Sequence, residues 1–135
     1  MKVAVAGILA IAMSLIVATA RAEQPPVSGP VKRPVTALQA DEFWIQVASR
    51  QTLPDSIEVA EQYTAQFPRV AVLQSQNGWY AIVVDVVRDG VVQETLKRLK
   101  DAGRIPGDSY ATAGKSYLWI AWPEIDPYAP VTSGN

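Results

Sequence analysis

The chain has no cysteine and no histidine. Without cysteine there is neither a disulfide framework nor a thiolate metal site. Without histidine the commonest general base and the commonest metal ligand are missing, and no serine can be activated through a histidine-centred triad. A marked excess of either charge is also lacking. The 12 basic residues stand against 13 acidic ones, for a net charge of −1. A nucleic-acid partner normally needs a basic stripe, so this balance argues against one. Carboxylates are the remaining route to catalysis. Asp85 and Asp89 flank a strand end, and Glu58 and Glu61 lie one helical turn apart. Paired carboxylates run glycoside hydrolysis when a cleft holds them several ångströms apart. These pairs are local, and the helical one points to solvent. The expectation is a non-catalytic protein with no metal and no cofactor.

With 135 residues there is room for one domain. Lys2 provides a short positive start, and Val3 to Ala20 is almost continuously apolar. Ala20-Arg21-Ala22 has the small-x-small form of a signal-peptidase site, which predicts cleavage after Ala22 and export. Cleavage would remove Lys2 and Arg21 and bring the net charge to −3. The alternative is an uncleaved inner-membrane anchor, since an apolar run of about 18 residues is at the lower limit for a spanning helix. Residues 23–40 contain Pro25, Pro26, Pro30 and Pro34 and read as an extended linker. Residues 41–122 carry the folded domain, and residues 123–135 read as a flexible tail.

Phe43 to Ser49 alternates, with Phe43, Ile45 and Val47 on one face and Trp44, Gln46 and Ala48 on the other. Thr52-Leu53-Pro54-Asp55 opens a helix, with Thr52 as N-cap and Ile57, Ala60, Thr64 and Phe67 facing the core, until Pro68 stops it. Arg69 to Gln74 is a second strand. Asn77-Gly78 signals a type I′ hairpin turn into a third strand, Trp79 to Val87. A second helix follows Asp89-Gly90, with Val92, Thr95, Leu96 and Leu99 buried and Gly103 at its C-terminal end. Ser109 to Ala113 supplies a short fourth strand, which Lys115 to Trp122 extends or follows. The expected fold is α+β, in βαββαβ order, with a four-stranded antiparallel sheet and two helices packed on one face.

That arrangement leaves the other sheet face open. Trp44, Gln46 and Trp79 project from it together, and Ser49 and Arg50 end the first strand. An indole offers a flat, partly polar surface on which a sugar ring can stack. The Gln46 amide offers both a donor and an acceptor to sugar hydroxyls or N-acetyl groups. The competing reading is that the C-terminal segment, with Tyr117, Trp119 and Trp122, covers one or both tryptophans.

At these residues the chain resembles a SPOR domain, from Phe43 to about Thr112. Ile45-Gln46-Val47-Ala48-Ser49 is similar to that family's opening V-Q-x-x-S strand, and Ile57 to Tyr63 to its first helix. Asn77-Gly78-Trp79-Tyr80 resembles its G-W-Y hairpin, and Glu94 to Gly103 its second helix ending in A-G. The family's basic residue after W-Y is replaced by Ala81, and its G-P-F or G-P-Y turn has no counterpart in Val84-Asp85-Val86-Val87. The resemblance implies binding of peptidoglycan glycan strands stripped of their peptides, with Gln46, Ser49 and Trp79 at the glycan-contacting positions. Face geometry adds Trp44 and Arg50.

The expected function is therefore a non-catalytic, periplasmic peptidoglycan-binding module that directs the protein to sites of cell-wall remodelling or division. A protein-interaction module for envelope or division proteins is the alternative. An RNA-binding domain shares the strand and helix order, but the acidic charge and the export signal oppose it.

Overall fold

The computed structural model describes residues 32–130. The signal segment, its anchor alternative, most of the linker and residues 131–135 lie outside the described residues. In chain order the elements are β1 (Arg33–Pro34), β2 (Glu42–Arg50), α1 (Leu53–Tyr63), β3 (Ala71–Ser75), β4 (Tyr80–Arg88), α2 (Val92–Asp101), β5 (Tyr110–Thr112) and β6 (Tyr117–Trp122). The strands form one sheet in the order β1-β6-β3-β4-β2-β5, with every neighbour antiparallel.

The fold is α+β, but the sheet has six strands and not the expected four. The two extra strands come from segments assigned to the linker and to the end of the fourth strand. Tyr117–Trp122 neither extends β5 nor pairs with it. It lies near the opposite edge, against β3 on one side and β1 on the other. The short connection after β5 crosses the second sheet face to get there, with Gly114 against the Trp44 indole. The packed unit also extends beyond residues 41–122 at both ends. Val35 and Leu38 pack on the sheet before β2, and Tyr128 is buried after β6.

The helices cover one face. Their core joins Ile45 and Val47 of β2, Val72 of β3 and Ile82 and Val84 of β4 to Ala60 of α1 and Leu96 and Leu99 of α2. Thr52 caps α1 through its side-chain oxygen, which accepts from the Asp55 amide at 3.3 Å. The buried positions of α1 are Ser56 and Ala60, with Leu53, Val59 and Tyr63 packed against the core. Thr64 is exposed, because α1 ends at Tyr63, a turn before Pro68. Burial of this apolar face, at about 25 cal/mol per Å², is the main force holding the helices to the sheet.

The second face carries a core of its own. Trp44, Ala71, Leu73, Ala81, Val83, Tyr117, Ile120 and Tyr128 form a separate buried cluster. The terminal segments that cover it are tied together. The Arg33 guanidinium donates to the carbonyls of Pro123 (2.6 Å), Ile120 (3.3 Å) and Glu124, and the Thr36 hydroxyl meets an Asp126 carboxylate oxygen at 2.6 Å. Trp122 packs against the helix-side core and does not cover the second face.

Gly114 makes this covering possible. Its φ is +71°, and a Cβ built there would come within 2.6 Å of both the Trp44 and Tyr117 rings. Gly78 also has a positive φ, +87°, but with open space around it. Gly78→Ala should therefore cost only the backbone term, about 1 kcal/mol. Gly114→Ala should cost about 3 kcal/mol or more, because overpacking adds to the same term. Urea midpoints for the two variants check this, and equal losses would contradict the packing of Gly114 on Trp44.

Candidate functional site

A bulge in β2 decides which residues reach the site. The register with β4 shifts around Gln46 and Ala48, and Val47 and Ala48 both pack on the helix side. Alternation is thus displaced by one residue. Ser49 then faces the same side as Gln46, and both border one cavity. Bulges commonly re-aim side chains in this way. The same displacement turns Arg50 to the helix side. There its charge acts on Tyr63 of α1, while its guanidinium donates to the Ser49 carbonyl at 2.8 Å.

The cavity has a volume of about 340 Å³, within the range of small-molecule sites. The β3–β4 hairpin forms one wall, with Ser75, Gln76, Asn77 and Trp79; β5 supplies Tyr110 and Thr112, and the crossing connection supplies Ser116. The hairpin differs from the expected two-residue type I′ turn. Gln76, Asn77 and Gly78 make a three-residue loop, with the Gly78 amide donating to the Ser75 carbonyl (2.9 Å) and the Ser75 amide to that of Trp79 (2.9 Å). The left-handed Gly78 closes it, as in hairpins with a glycine bulge. Trp79 is left 41% exposed and Tyr110 50% exposed. No lining residue carries a charge: the walls are amides, hydroxyls, aromatic rings and one alanine.

Three of the residues singled out in the sequence, Gln46, Ser49 and Trp79, come together at this cavity. Arg50 does not, for the reason given above. Trp44 does not either, and its expected exposure is corrected here. It is 1% exposed, with Tyr128 at 4.7 Å and Tyr117 at 6.3 Å between ring centroids, both edge-on. Its role is to support Tyr117, whose hydroxyl donates to Gln46 Oε1. Sequence reasoning missed Tyr110, Thr112, Ser116 and Tyr117 as site residues. Alternation in the short β5 was the one signal that would have put Tyr110 and Thr112 on this face.

The carboxylates considered for catalysis are held elsewhere. Asp85 pairs with Arg69 at 2.7 Å, and Asp89 accepts from the Gly90 amide at 3.0 Å. Among the described residues, no group of three or more acidic residues could hold a metal ion. Nor is any helix among them long and apolar enough to cross a membrane.

No family model matches the chain, and no solved structure does. Over 82 residues it is 29% identical to an uncharacterized protein, y4bJ, of Sinorhizobium fredii; the match takes in 58% of this chain and 13% of that protein. The chain therefore spans only a small part of that relative.

The buried phenols beside the site have a pH signature. Burial pushes the hydroxyls of Tyr117 and Tyr128 well above the ordinary value of 10.0. An unfolded chain releases these protons near pH 10, and the folded chain keeps them. Their contribution is complete below that pH and is lost as pH rises above it. Urea midpoints should be flat up to about pH 9 and fall beyond about pH 10. Tyr128→Phe should fall less steeply, and an unchanged slope would contradict the burial of its hydroxyl.

Proposed function

We propose that this domain is a non-catalytic glycan-binding module of the bacterial cell envelope. Its ligand is the glycan strand of peptidoglycan from which peptides have been removed. It works in the periplasm, where it directs the protein to sites of cell-wall remodelling or division. The observation that carries this reading is the uncharged cavity bordered by Gln46, Ser49 and Trp79, the residues that the resemblance to SPOR domains puts at the glycan-contacting positions. A half-exposed indole beside amides and hydroxyls suits a sugar, which has apolar ring faces and a polar edge. Stacking and hydrogen bonding supply the affinity, and the stem peptides, which carry charges, find no counter-charge in the cavity.

A second reading is an interaction module for envelope or division proteins. Leu118 and Ile125 favour it, since both are large apolar side chains left exposed away from the cavity.

The test is retention of the purified chain on sacculi, intact or stripped by an amidase. Stripped glycan should retain more protein, and Trp79→Ala should lower retention about tenfold, the effect of losing one stacking contact. A folded protein that ignores both preparations would overturn the glycan reading and leave the protein-interaction reading.

A further inference from the structure

Three amides line the cavity, and two of them, Gln46 and Asn77, have their oxygens engaged by the protein, whereas the Gln76 side chain makes no hydrogen bond to a described residue. Gln46 is 9% exposed, and its Oε1 accepts from the Tyr117 hydroxyl. Its Nε2 makes no hydrogen bond to a described residue, yet it is not among the buried atoms left without a partner, so it remains reachable from the cavity. Asn77 Oδ1 accepts from the Trp79 amide at 3.0 Å, and its NH2 group makes no hydrogen bond to a described residue. Thr112 Oγ1 is also engaged, by the Gly114 amide at 3.1 Å. The amide oxygens of Gln46 and Asn77 and the Thr112 hydroxyl are thus engaged by the protein, and the NH2 groups of Gln46 and Asn77 are left for a ligand, beside the Gln76 amide and the hydroxyls of the wall.

We propose that Tyr117 is a positioning residue that fixes the Gln46 amide with its NH2 group toward the cavity, so that the site selects a neutral hydrogen-bond acceptor: the acetamido carbonyl of an N-acetylated sugar. This rests on the glycan reading and adds the chemical group recognised. A free amide side chain can flip and serve as donor or acceptor. The Tyr117 phenol biases that choice: among the described residues its proton has no acceptor other than Gln46 Oε1, so the orientation that turns the amide oxygen toward it is the one that satisfies both groups. Tyr117 is itself held, by the Trp44 ring on one side and by Gly114, whose position admits no side chain. Its burial keeps it protonated throughout the physiological range. The walls carry no charge and so give an anion no counter-charge, which favours a neutral acceptor.

The experiment titrates the protein with chitotetraose and with cellotetraose, neutral oligosaccharides that differ in the acetamido group. The wild type should prefer chitotetraose by about tenfold, the value of one good hydrogen bond. Tyr117→Phe keeps the ring against Trp44 and frees the amide to flip, so the preference should shrink to within about twofold. Gln46→Glu keeps the bond from Tyr117 and loses the NH2 group, and it should lose the preference in the same way. Trp79→Ala should weaken both ligands equally, as would any change that merely loosened the site. A folded Tyr117→Phe or Gln46→Glu that kept the full preference would overturn the inference. So would a wild type that bound both sugars equally through Trp79, but that result would leave the glycan reading standing. Failure of the wild type to bind either sugar or sacculi would remove both.

Discussion

The indole of Trp44, closed over by Tyr117 and Tyr128, is the contact on which the second face of the sheet depends. It gives the crossing connection a surface to lie on and β6 a reason to stay at the far side of the sheet. Its burial is worth several kcal/mol by area alone, with a further contribution from the edge-on ring pairs. The Tyr128 hydroxyl reaches the Arg69 carbonyl, and Arg69 pairs with Asp85 beneath the same ring, its guanidinium carbon 4.7 Å from the ring centroid. A face that would otherwise be open is thereby divided into a covered, apolar part and a polar recess beside it.

The recess takes its character from that division. Its rear wall is Tyr117, which belongs to both the covered core and the cavity. A rigid residue shared in this way ties site geometry to core packing, as preorganised sites require. The side chains facing the cavity are neutral, and the amide oxygens of Gln46 and Asn77 are engaged by the protein. What remains is an indole, the NH2 groups of Gln46 and Asn77, the Gln76 amide and several hydroxyls, a set that offers no counter-charge to a phosphate or a charged peptide.

Much of the scaffold could be read from local pattern. The Thr52 cap and a hairpin at Asn77-Gly78 follow from neighbouring residues, and each has its counterpart in the structure, although the hairpin loop has three residues and not the expected two. The failures lie where distant parts of the chain decide. Trp44 has the alternation of an exposed residue, but Tyr117 and Tyr128 cover it after more than 70 residues of intervening chain. Gln46 and Tyr117 lie 71 positions apart. The bulge at Val47 and Ala48 is silent in sequence, because both residues are small, apolar and acceptable on either face. It brings Ser49 to the cavity and takes Arg50 away, so strict alternation gives the wrong face for both. The six-stranded sheet was hidden for a similar reason: Arg33–Pro34 reads as linker until β6 is there to pair with it.

The most direct test of this account is NMR shift mapping of the protein with amidase-stripped glycan fragments. The account predicts shifts confined to the Gln46 and Asn77 side-chain amides, the Trp79 indole and the backbone of Ser49 and Tyr110. The Trp44 indole and both helices should stay unmoved. Shifts centred on α1 or α2, or none from a folded protein at saturating glycan, would contradict it.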